Sequence, residues 1–241
     1  VSVFDKVLPV VPMFHANAWG LAFTCPVVGA DMIMPGAQMD GASIYELLTK
    51  YKVTMSAAVP TVWMMLLQHM EANDLELPEL DRVVIGGSAV PERILRAFKE
   101  KYDVDVAHAW GMTETSPLGT IGQLTPEIQS MGWDKHVEYK LKQGRMPFGV
   151  ELKITDDDGN DIPRDGKTSG HLMVRGCAVV DTYFKGEGGN GGTVLDENGF
   201  FDTGDVANID EYGFMQITDR AKDVIKSGGE WISSIDSENI A

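Results

Sequence analysis

Cysteines and basic residues are scarce in this sequence, and each scarcity excludes a class of protein. Its 241 residues include only two cysteines, Cys25 and Cys177, without CxxC spacing. This count argues against a disulfide framework and favours buried thiols in a reducing compartment, so we expect a cytoplasmic protein. The 20 Lys and Arg residues face 36 Asp and Glu residues, which gives a formal net charge of -16. Because nucleic-acid binding needs a basic face, we expect no nucleic-acid partner.

Long apolar runs are also lacking. The longest, near Val62–Leu67, is far shorter than the roughly 18 residues of a membrane span, so we expect no transmembrane segment. No basic stretch precedes an apolar one, as it would in a signal peptide. The chain starts at Val1 and stops in the helix-like segment Ile235–Ala241, from which we expect cut ends at both termini.

The first half of the sequence alternates segments typical of strands with segments typical of helices. Asp40 suits a helix N-cap, and Pro60 and Pro91 each suit the first turn of a helix. Apolar residues recur at helical spacing after each of them, and these predicted core faces contain Ile44, Leu47, Leu48, Tyr51, Trp63, Leu66, Leu67, Met70, Ile94, Leu95, Phe98 and Tyr102. The strand-like segments are Val27–Met34, Val53–Val59, Arg82–Ile85 and Val104–Ala107. This βαβαβ rhythm predicts an α/β fold with a parallel sheet in residues 1–143.

From about Gly144 the pattern changes to short alternating strands separated by Asp, Asn and Gly turns. The strand-like segments are Val150–Thr155, His171–Arg175 and Gly213–Thr218. They predict a small antiparallel, β-barrel-like subdomain in residues 144–219.

Two segments imitate ligand-binding motifs. Gly186–Gly191 matches GxGxxG, but no strand-to-helix context surrounds it, so we reject dinucleotide binding there. Asp156 and Asn160 resemble the start of a calcium loop. However, Asp161 and Lys167 occupy the positions that require Gly and Glu, so we predict a hairpin turn instead.

Two segments fall at the carboxyl ends of predicted strands, where ligands of parallel sheets bind. Gly86–Pro91 is either a tight βα turn or a close approach for a flat anionic ligand. Trp110–Thr115 is either a core aromatic followed by a capping pattern or a site for a purine, a phosphate and magnesium, because it joins a ring, a hydroxyl and a carboxylate.

Three further segments each allow a structural and a functional interpretation. Asp202–Asp205 is typical of a turn, although Asp205 could accept two hydrogen bonds from the cis-diol of a ribose. The basic residues between Arg220 and Lys226 form either a solvated face or part of a moving lid next to Gly228 and Gly229. His15, close to Trp19, would most often be a partly buried histidine beside a core aromatic.

The order of these motifs resembles the superfamily of acyl-CoA synthetases, luciferase-like enzymes and peptide-synthetase adenylation domains. The resemblance covers nearly the whole chain and is closest to the medium- and long-chain fatty-acid–CoA ligases. It rests on four segments, which are Pro12–Gly20, Trp110–Thr115, Gly170–Gly176 and Asp219–Ser234. It implies that residues 220–241 contain the hinge and the start of a small C-terminal α+β domain.

The resemblance also implies a role for each matching residue. Gly87, Ser88, His108, Ala109, Trp110 and Gly111 would surround the adenine, with Trp110 in place of the usual tyrosine. Thr113 would contact the phosphate, Glu114 would ligate Mg²⁺, and Lys222 would be the hinge. Asp205 would hold the ribose with help from Arg220. His15 would line the acyl-carboxylate side, and Trp19 would gate the acyl tunnel. Lys226 and Trp231 would contact nucleotide.

The implied reaction uses ATP, Mg²⁺ and coenzyme A to convert a fatty or related carboxylic acid into acyl-AMP and then acyl-CoA. The family's phosphate loop would precede Val1, and its late catalytic lysine would follow Ala241. We therefore expect this polypeptide alone to be inactive, and its parent to be a homodimer, as relatives often are. Three alternatives stay open: a luciferase-like enzyme, a ligase for short-chain or sulfur-containing acids, and a nucleotide-binding module without turnover.

Overall fold

A computed structural model describes residues 1–77, 79–186 and 192–221, together with the backbone of two short strands at 225–227 and 230–232. The chain divides into two compact units, Val1–Leu141 and Lys142–Ala241. Within the described residues, no helix is both long enough and apolar enough to cross a membrane.

The first unit contains a six-stranded sheet. Its strands are β1 (Lys6–Pro9), β2 (Asp31–Met32), β3 (Met55–Ala58), β4 (Arg82–Ile85), β5 (Asp105–Gly111) and β6 (Leu118–Ile121). Their spatial order is β2-β1-β3-β4-β5-β6. All neighbouring strands are parallel except β5 and β6, which are antiparallel. The predicted parallel sheet is thus confirmed.

Helices and single turns connect these strands, and two further helices follow β6. They are α1 (Ala16–Trp19), α2 (Leu21–Val28), α3 (Gly41–Lys50), α4 (Pro60–Asn73), α5 (Glu92–Arg96), α6 (Pro126–Gln129) and α7 (Trp133–Leu141). A π-helical turn, Ala97–Lys101, extends α5. The carboxylate of Asp40 accepts hydrogen bonds from the backbone of Ala42 and Ser43, both at 3.1 Å, so the predicted N-cap of α3 is confirmed.

The two faces of the sheet bury different side chains because successive residues of a strand point to opposite sides. Val83 and Ile85 of β4 are fully buried in the larger core, which the helices α3, α4, α5 and α7 cover. On the other face, Met55 and Ala57 of β3 pack in a smaller cluster with Leu21 and Cys25 of α2. Small side chains on this second face leave room for a cavity.

The predicted strand Val27–Met34 is wrong for its first part. Val27 and Val28 are the last residues of α2, which ends where Gly29 adopts a left-handed conformation with φ of 77°. Only Asp31–Met32 forms a strand. A short apolar run without flanking polar residues has no periodicity to separate helix from strand, and Pro26 inside the helix obscured it further.

The second unit is built on antiparallel strands, as predicted. They are β7 (Val150–Thr155), β8 (Gly170–Gly176), β9 (Phe201–Ile209) and β10 (Met215–Arg220), in the order β10-β9-β8-β7. A separate pair consists of β11 (Ile225–Ser227) and β12 (Glu230–Ile232). The predicted hairpin turn is confirmed, because Asp156 caps it by accepting from the backbone of Asn160 at 2.8 Å and of Asp158 at 3.0 Å.

Asp202–Asp205, which on its own is typical of a turn, lies inside β9. Met173 of β8 pairs with Asp202, whereas His171 pairs with Val206, so the ladder shifts register between them. Gly204, at φ of 70°, sits in this irregularity, and its amide donates to the carboxylate of Asp202 at 2.9 Å. The turn-like composition therefore marks a β-bulge, which bends a strand without ending it.

Candidate active site

A cavity of about 620 Å³ lies in the first unit. The floor of the cavity is formed by alternate residues of β4 and β5, which are Arg82, Val84, Asp105, Ala107, Ala109 and Gly111, and by Gly86, which directly follows β4. Most of these side chains are small, which explains why the sheet leaves open space here. The cavity extends to the carboxyl ends of the strands, where the predicted ligand segments begin.

Trp110 borders the cavity near the end of β5 and is 8% exposed. Its partner in the antiparallel ladder is Thr120 of β6, whereas Gly111 pairs with Leu118. Gly119 therefore has no opposite residue and forms a bulge against Trp110. A tryptophan that touches both a protein wall and a cavity can offer part of its ring to a flat ligand.

The turn after β5 is fixed by Thr115, whose side chain is buried. Its hydroxyl accepts from the amide of Met112 at 3.0 Å and lies 2.5 Å from the carbonyl of Pro117. Thr113, the predicted phosphate contact, is exposed and borders the cavity. Glu114 lies half-buried in the same 3-10 turn, Thr113–Thr115, outside the cavity lining.

The turn that follows β4 contributes the glycines of the second predicted segment. Gly87 borders the cavity and adopts φ of 80°, a conformation that favours glycine. A methyl group on Gly86 would lie 3.3 Å from Cη2 of Trp19, so the ring of Trp19 packs against this turn. Ser88 is exposed and lies outside the cavity lining.

His15 and Trp19 reach the cavity from an unusual backbone segment. The residues Ala16, Asn17, Ala18 and Trp19 all have positive φ values, of 41°, 54°, 54° and 53°, and Gly20 follows at 77°. Left-handed conformations cost non-glycine residues roughly 1–2 kcal/mol each, so this turn stores strain. His15 is exposed and Trp19 is half-buried, and both of these predicted acyl-side residues border the cavity.

His108 has a different environment from the other predicted adenine contacts. Its side chain is 1% exposed and is not part of the cavity lining. The ring nitrogen Nδ1 lies 2.9 Å from the carbonyl of Leu141, at the end of α7. The histidine side chain thus ties β5 to α7, whereas its neighbour Ala109 borders the cavity.

In the second unit, Asp205, the predicted ligand of the ribose, forms an ion pair with Arg220, which is predicted to assist it. The Arg220 guanidinium lies 2.9 Å from Oδ1 of Asp205, whose side chain is 4% exposed, whereas that of Arg220 is 60% exposed. The two residues are directly opposite each other in the β9–β10 ladder. Lys226 and Trp231 are opposite each other in the β11–β12 pair. Lys222, the predicted hinge, lies outside the described residues.

Comparison with known proteins identifies the family. The model of the family described as "AMP-binding enzyme" matches residues 2–184, about three quarters of the chain. The chain belongs to this family. The resemblance found from the motifs is thereby confirmed.

Curated relatives match the whole chain but are much longer. It is 50% identical over 240 residues to the 3-methylmercaptopropionyl-CoA ligase of Ruegeria lacuscaerulensis, with 100% of this chain and 44% of that protein covered. It is 47% identical over 241 residues to a medium-chain-fatty-acid–CoA ligase of Ectopseudomonas oleovorans, with 100% and 43% covered. The chain thus spans less than half the length of these relatives.

Among solved structures, the chain is similar to O-succinylbenzoate coenzyme A synthetase from Bacillus subtilis. The complex of that enzyme with AMP matches with a TM-score of 0.82 and 27% identity, over 100% of this chain and 46% of that chain. Its complex with ATP and a magnesium ion matches with a TM-score of 0.79 and 28% identity, over 98% and 46%. The α/β architecture, with one mainly parallel and one antiparallel sheet of four or more strands, is therefore that of the AMP-binding family.

Glu114 is the residue that the sequence predicts as a magnesium ligand, and its described surroundings contain few other metal-binding side chains. No cluster of three or more His, Cys, Asp or Glu side chains suited to a metal occurs in the part of the chain that the structure describes. Magnesium bound with a nucleotide needs only one or two carboxylates, because phosphate oxygens and water complete its coordination. Glu114 supplies one such carboxylate and directly follows Thr113, which borders the cavity, so it fits this donor set.

Sequence reasoning missed the cavity floor and the residue beneath Trp110. Ala57 and Ala107 border the cavity, and Gly119 contacts the Trp110 ring. One signal was present: small residues alternate through β5 as Ala107, Ala109 and Gly111. A strand face without large side chains either packs closely or borders a cavity. The position of Gly119 depends on pairing between strands, which local sequence does not reveal.

Proposed function

We propose that the full-length protein is an ATP-dependent acid–coenzyme A ligase. It activates a carboxylic acid as acyl-AMP, with release of pyrophosphate, and transfers the acyl group to coenzyme A, with release of AMP. The proposal is supported by membership of the AMP-binding family and by relatives named as CoA ligases. The share of the relatives that this chain covers makes it a proposal about the longer protein.

One observation carries the proposal. Residues assigned to the acyl side, His15 and Trp19, and residues assigned to the nucleotide side, Trp110 and Thr113, border the same cavity although they are far apart in sequence. An adenylating enzyme needs this arrangement, because the carboxylate of the acid must meet the α-phosphorus of ATP. Holding the two reactants together removes much of the entropic barrier.

The chemistry has two displacements. In the first, a carboxylate oxygen of the acid attacks the α-phosphorus of ATP, and the bond to pyrophosphate breaks. In the second, the thiolate of coenzyme A attacks the acyl carbonyl carbon, and AMP leaves with the bonding electron pair. Both steps bring anions together, so positioning and charge neutralisation contribute more than a general base.

The residues at the cavity have distinct proposed roles. Trp110 stacks on the adenine, and the backbone of Gly87, Ala109 and Gly111 lets the flat base approach closely. The Thr113 hydroxyl donates a hydrogen bond to a phosphate oxygen. His15 lines the side of the cavity that binds the acid carboxylate, and Trp19 is the gate to the acyl tunnel. These assignments are supported by the position of the residues around one cavity. Ser88 and His108 lie outside the cavity lining, and we propose that they contact the adenine through backbone atoms.

Glu114 is the residue that would hold magnesium. When bound with the nucleotide, magnesium supplies neutralisation of the phosphate charge. The turn that contains Glu114 is fixed by the buried hydroxyl of Thr115, so the backbone of Glu114 is held next to Thr113.

Outside the first unit, Asp205 is the proposed ligand of the ribose hydroxyls. Its contact with the Arg220 guanidinium at 2.9 Å supports this role, since the cation and the carboxylate lie side by side. Lys222 is proposed as the hinge of the following domain, and Lys226 and Trp231 as nucleotide contacts made after the hinge moves.

The acid is proposed to be a fatty acid of medium or long chain. The relative from Ectopseudomonas oleovorans and the mostly apolar lining of the cavity support this class. A second candidate is a short sulfur-containing acid, which the name of the relative from Ruegeria lacuscaerulensis favours. Both acids require the same adenylation chemistry and differ in the volume of their acyl group.

The test uses the full-length protein with ATP, magnesium and a panel of octanoate, palmitate and 3-methylmercaptopropionate. Pyrophosphate release is measured without coenzyme A, and thioester formation is measured by mass spectrometry when coenzyme A is added. We expect both products, with the highest kcat/KM for one of the fatty acids. The variant His15→Ala should raise the KM for the acid more than that for ATP.

Each other outcome contradicts a defined part of the proposal. Acyl-AMP formation without thioester would indicate another acyl-adenylating enzyme. ATP binding without acid-dependent pyrophosphate release would indicate a nucleotide-binding module. A preference for 3-methylmercaptopropionate would replace the fatty acid with the second candidate.

A further inference from the structure

Trp110 and Gly119 are in such close contact that no side chain fits between them. A Cβ atom built on Gly119 would lie 2.2 Å from Cζ3 and 2.4 Å from Cε3 of Trp110. Ordinary van der Waals contact between carbons begins near 3.5 Å. A methyl group at this position would therefore force the indole to move by more than an ångström.

Glycine is needed here for space and not for its backbone conformation. Gly119 has no positive φ, unlike Gly87 or Gly204. It is buried, and as the unpaired residue of the β5–β6 bulge it lies directly against the indole. A bulge is a known device for placing one residue out of register beside a functional side chain.

We propose that Gly119 is a positioning residue for the nucleotide, and that Trp110 and Gly119 work as a matched pair. Gly119 forms the wall against which the indole rests, so that the ring stays at the edge of the cavity in the orientation that stacks on adenine. The proposal rests on the proposed function, because it assumes that the ligand of Trp110 is the adenine of ATP.

The proposed pairing predicts that the side chain tolerated at position 119 depends on the ring at position 110. The two atoms nearest to a Cβ on Gly119, Cε3 and Cζ3, belong to the part of the indole that a tyrosine ring lacks. A tyrosine at position 110 therefore leaves room for a methyl group at position 119. The two positions should be coupled, so that the cost of a methyl group depends on which ring faces it.

The experiment compares four full-length proteins: wild type, Gly119→Ala, Trp110→Tyr and the double variant. Steady-state KM values for ATP and for the acid, kcat, and the Kd of AMP by calorimetry are measured for each. We expect Gly119→Ala to raise the KM for ATP and the Kd of AMP about tenfold, the size of one lost base–aromatic stack. The KM for the acid should stay within about twofold, since the methyl group displaces only the indole.

The double variant distinguishes an effect on the position of the Trp110 ring from a general loss of folded structure. We expect its KM for ATP to equal that of Trp110→Tyr alone. Alanine at position 119 should thus have no effect on this KM when position 110 is tyrosine. Gly132→Ala is the matched control, because a Cβ there meets no atom within 4 Å and the residue has no positive φ. Thermal unfolding of each variant shows whether it is folded at the assay temperature.

The outcomes distinguish this inference from the proposed function. An unchanged Kd of AMP in Gly119→Ala, or a double variant no better than Gly119→Ala, overturns the matched pair while ligase activity of the wild type stands. A wild type that binds AMP but forms no acyl-AMP overturns the proposed function, and the AMP titration still tests the pair. If Gly119→Ala does not fold, the comparison of Trp110→Tyr with the double variant decides: a tenfold difference between those two contradicts the proposal.

Discussion

Nη2 of Arg82, at the start of β4, lies 2.6 Å from Oδ1 of Asp5, which precedes β1. Asp5 is 5% exposed and also accepts from the backbone of Ser2 at 2.6 Å and from the hydroxyl of Thr54 at 3.0 Å. Burial by itself would raise the pKa of Asp5, but these hydrogen bonds and the guanidinium lower it to about 2. The carboxylate thus joins three segments of the first unit as an ion.

The stability of this unit should therefore depend on the charge of Asp5. A lowered pKa stabilises the fold fully above the unfolded value, near 3.8, and the stabilisation disappears as the pH falls through about 2. Asp5→Asn should lower the free energy of unfolding by about 2 kcal/mol at pH 7, and this deficit should shrink below about pH 4. Urea denaturation between pH 7 and pH 2.5 measures it.

Asp103→Asn is the control, because Asp103 pairs with Lys99 at the surface with its side chain 88% exposed. Its substitution should cost less than about 0.5 kcal/mol at any pH. A deficit for Asp5→Asn that stays constant down to pH 2.5 would contradict the assignment of its charge.

The left-handed turn before α2 should become more stable with glycine. Ala16 has φ of 41°, and replacement by glycine removes the steric cost of the Cβ atom at that angle. We expect Ala16→Gly to raise the free energy of unfolding by about 1 kcal/mol, after allowance for the added entropy of the unfolded chain. Ala72→Gly, in the right-handed helix α4, should lower it by about 1 kcal/mol. Equal losses in both variants would show that the turn is unstrained.

Magnesium dependence should change when Glu114 loses its charge. In the full-length protein, Glu114→Gln should raise the magnesium concentration for half-maximal pyrophosphate release by about tenfold or more, because one anionic ligand becomes a neutral amide. The far-ultraviolet circular dichroism spectrum should not change. Glu127→Gln, at an exposed position in α6, should leave the magnesium dependence as it is. Identical curves for both variants would refute the role given to Glu114.

A buried ion pair holds the β9–β10 turn of the second unit. Nζ of Lys142 lies 2.7 Å from Oδ2 of Asp210, and their side chains are 12% and 9% exposed. Oδ1 of Asp210 accepts from the backbone of Tyr212 and Phe214. Lys142→Met should lower the free energy of unfolding by about 3 kcal/mol, since it leaves a buried carboxylate without its cation.

Lys135 offers the comparison for that pair. It contacts Glu138 at 2.6 Å with its side chain 57% exposed. Lys135→Met should change the free energy of unfolding by less than about 0.5 kcal/mol, as most exposed pairs do. Chemical denaturation of the two variants under the same conditions measures the loss in the free energy of unfolding. Similar losses for both would mean that burial does not determine how much each ion pair contributes to stability.

Parts of the fold were predictable wherever the chain carries local signals. Pro60 begins α4 and Asp40 caps α3, because proline geometry and a carboxylate near free amides act within a few residues. The strand β6 was not predicted, because Leu118–Ile121 is too short to show a period. Val27 lies in the last turn of α2 and not in the predicted strand, because packing and not propensity decides whether such short apolar runs form a helix or a strand.

The candidate site also contains residues that the sequence predicts and residues that only the structure reveals. Trp110 and Thr113 were found because they belong to one contiguous motif, and both border the cavity. His108 lies just before that motif, but its side chain is buried against the carbonyl of Leu141, which no local pattern indicates. Gly119 and Ala57 acquire their place from the register between strands, so they became visible only in three dimensions.

The bulge in β6 limits how related sequences can differ in length. Because Trp110 pairs with Thr120 and Gly111 with Leu118, the number of residues in the turn between the two strands sets which side chain lies under the indole. Deletion of one residue would bring Thr120 there, and insertion of one would bring Leu118. Homologous chains can therefore vary the exposed residues of this turn, but an insertion or deletion inside it would have to arise together with a new ring at position 110.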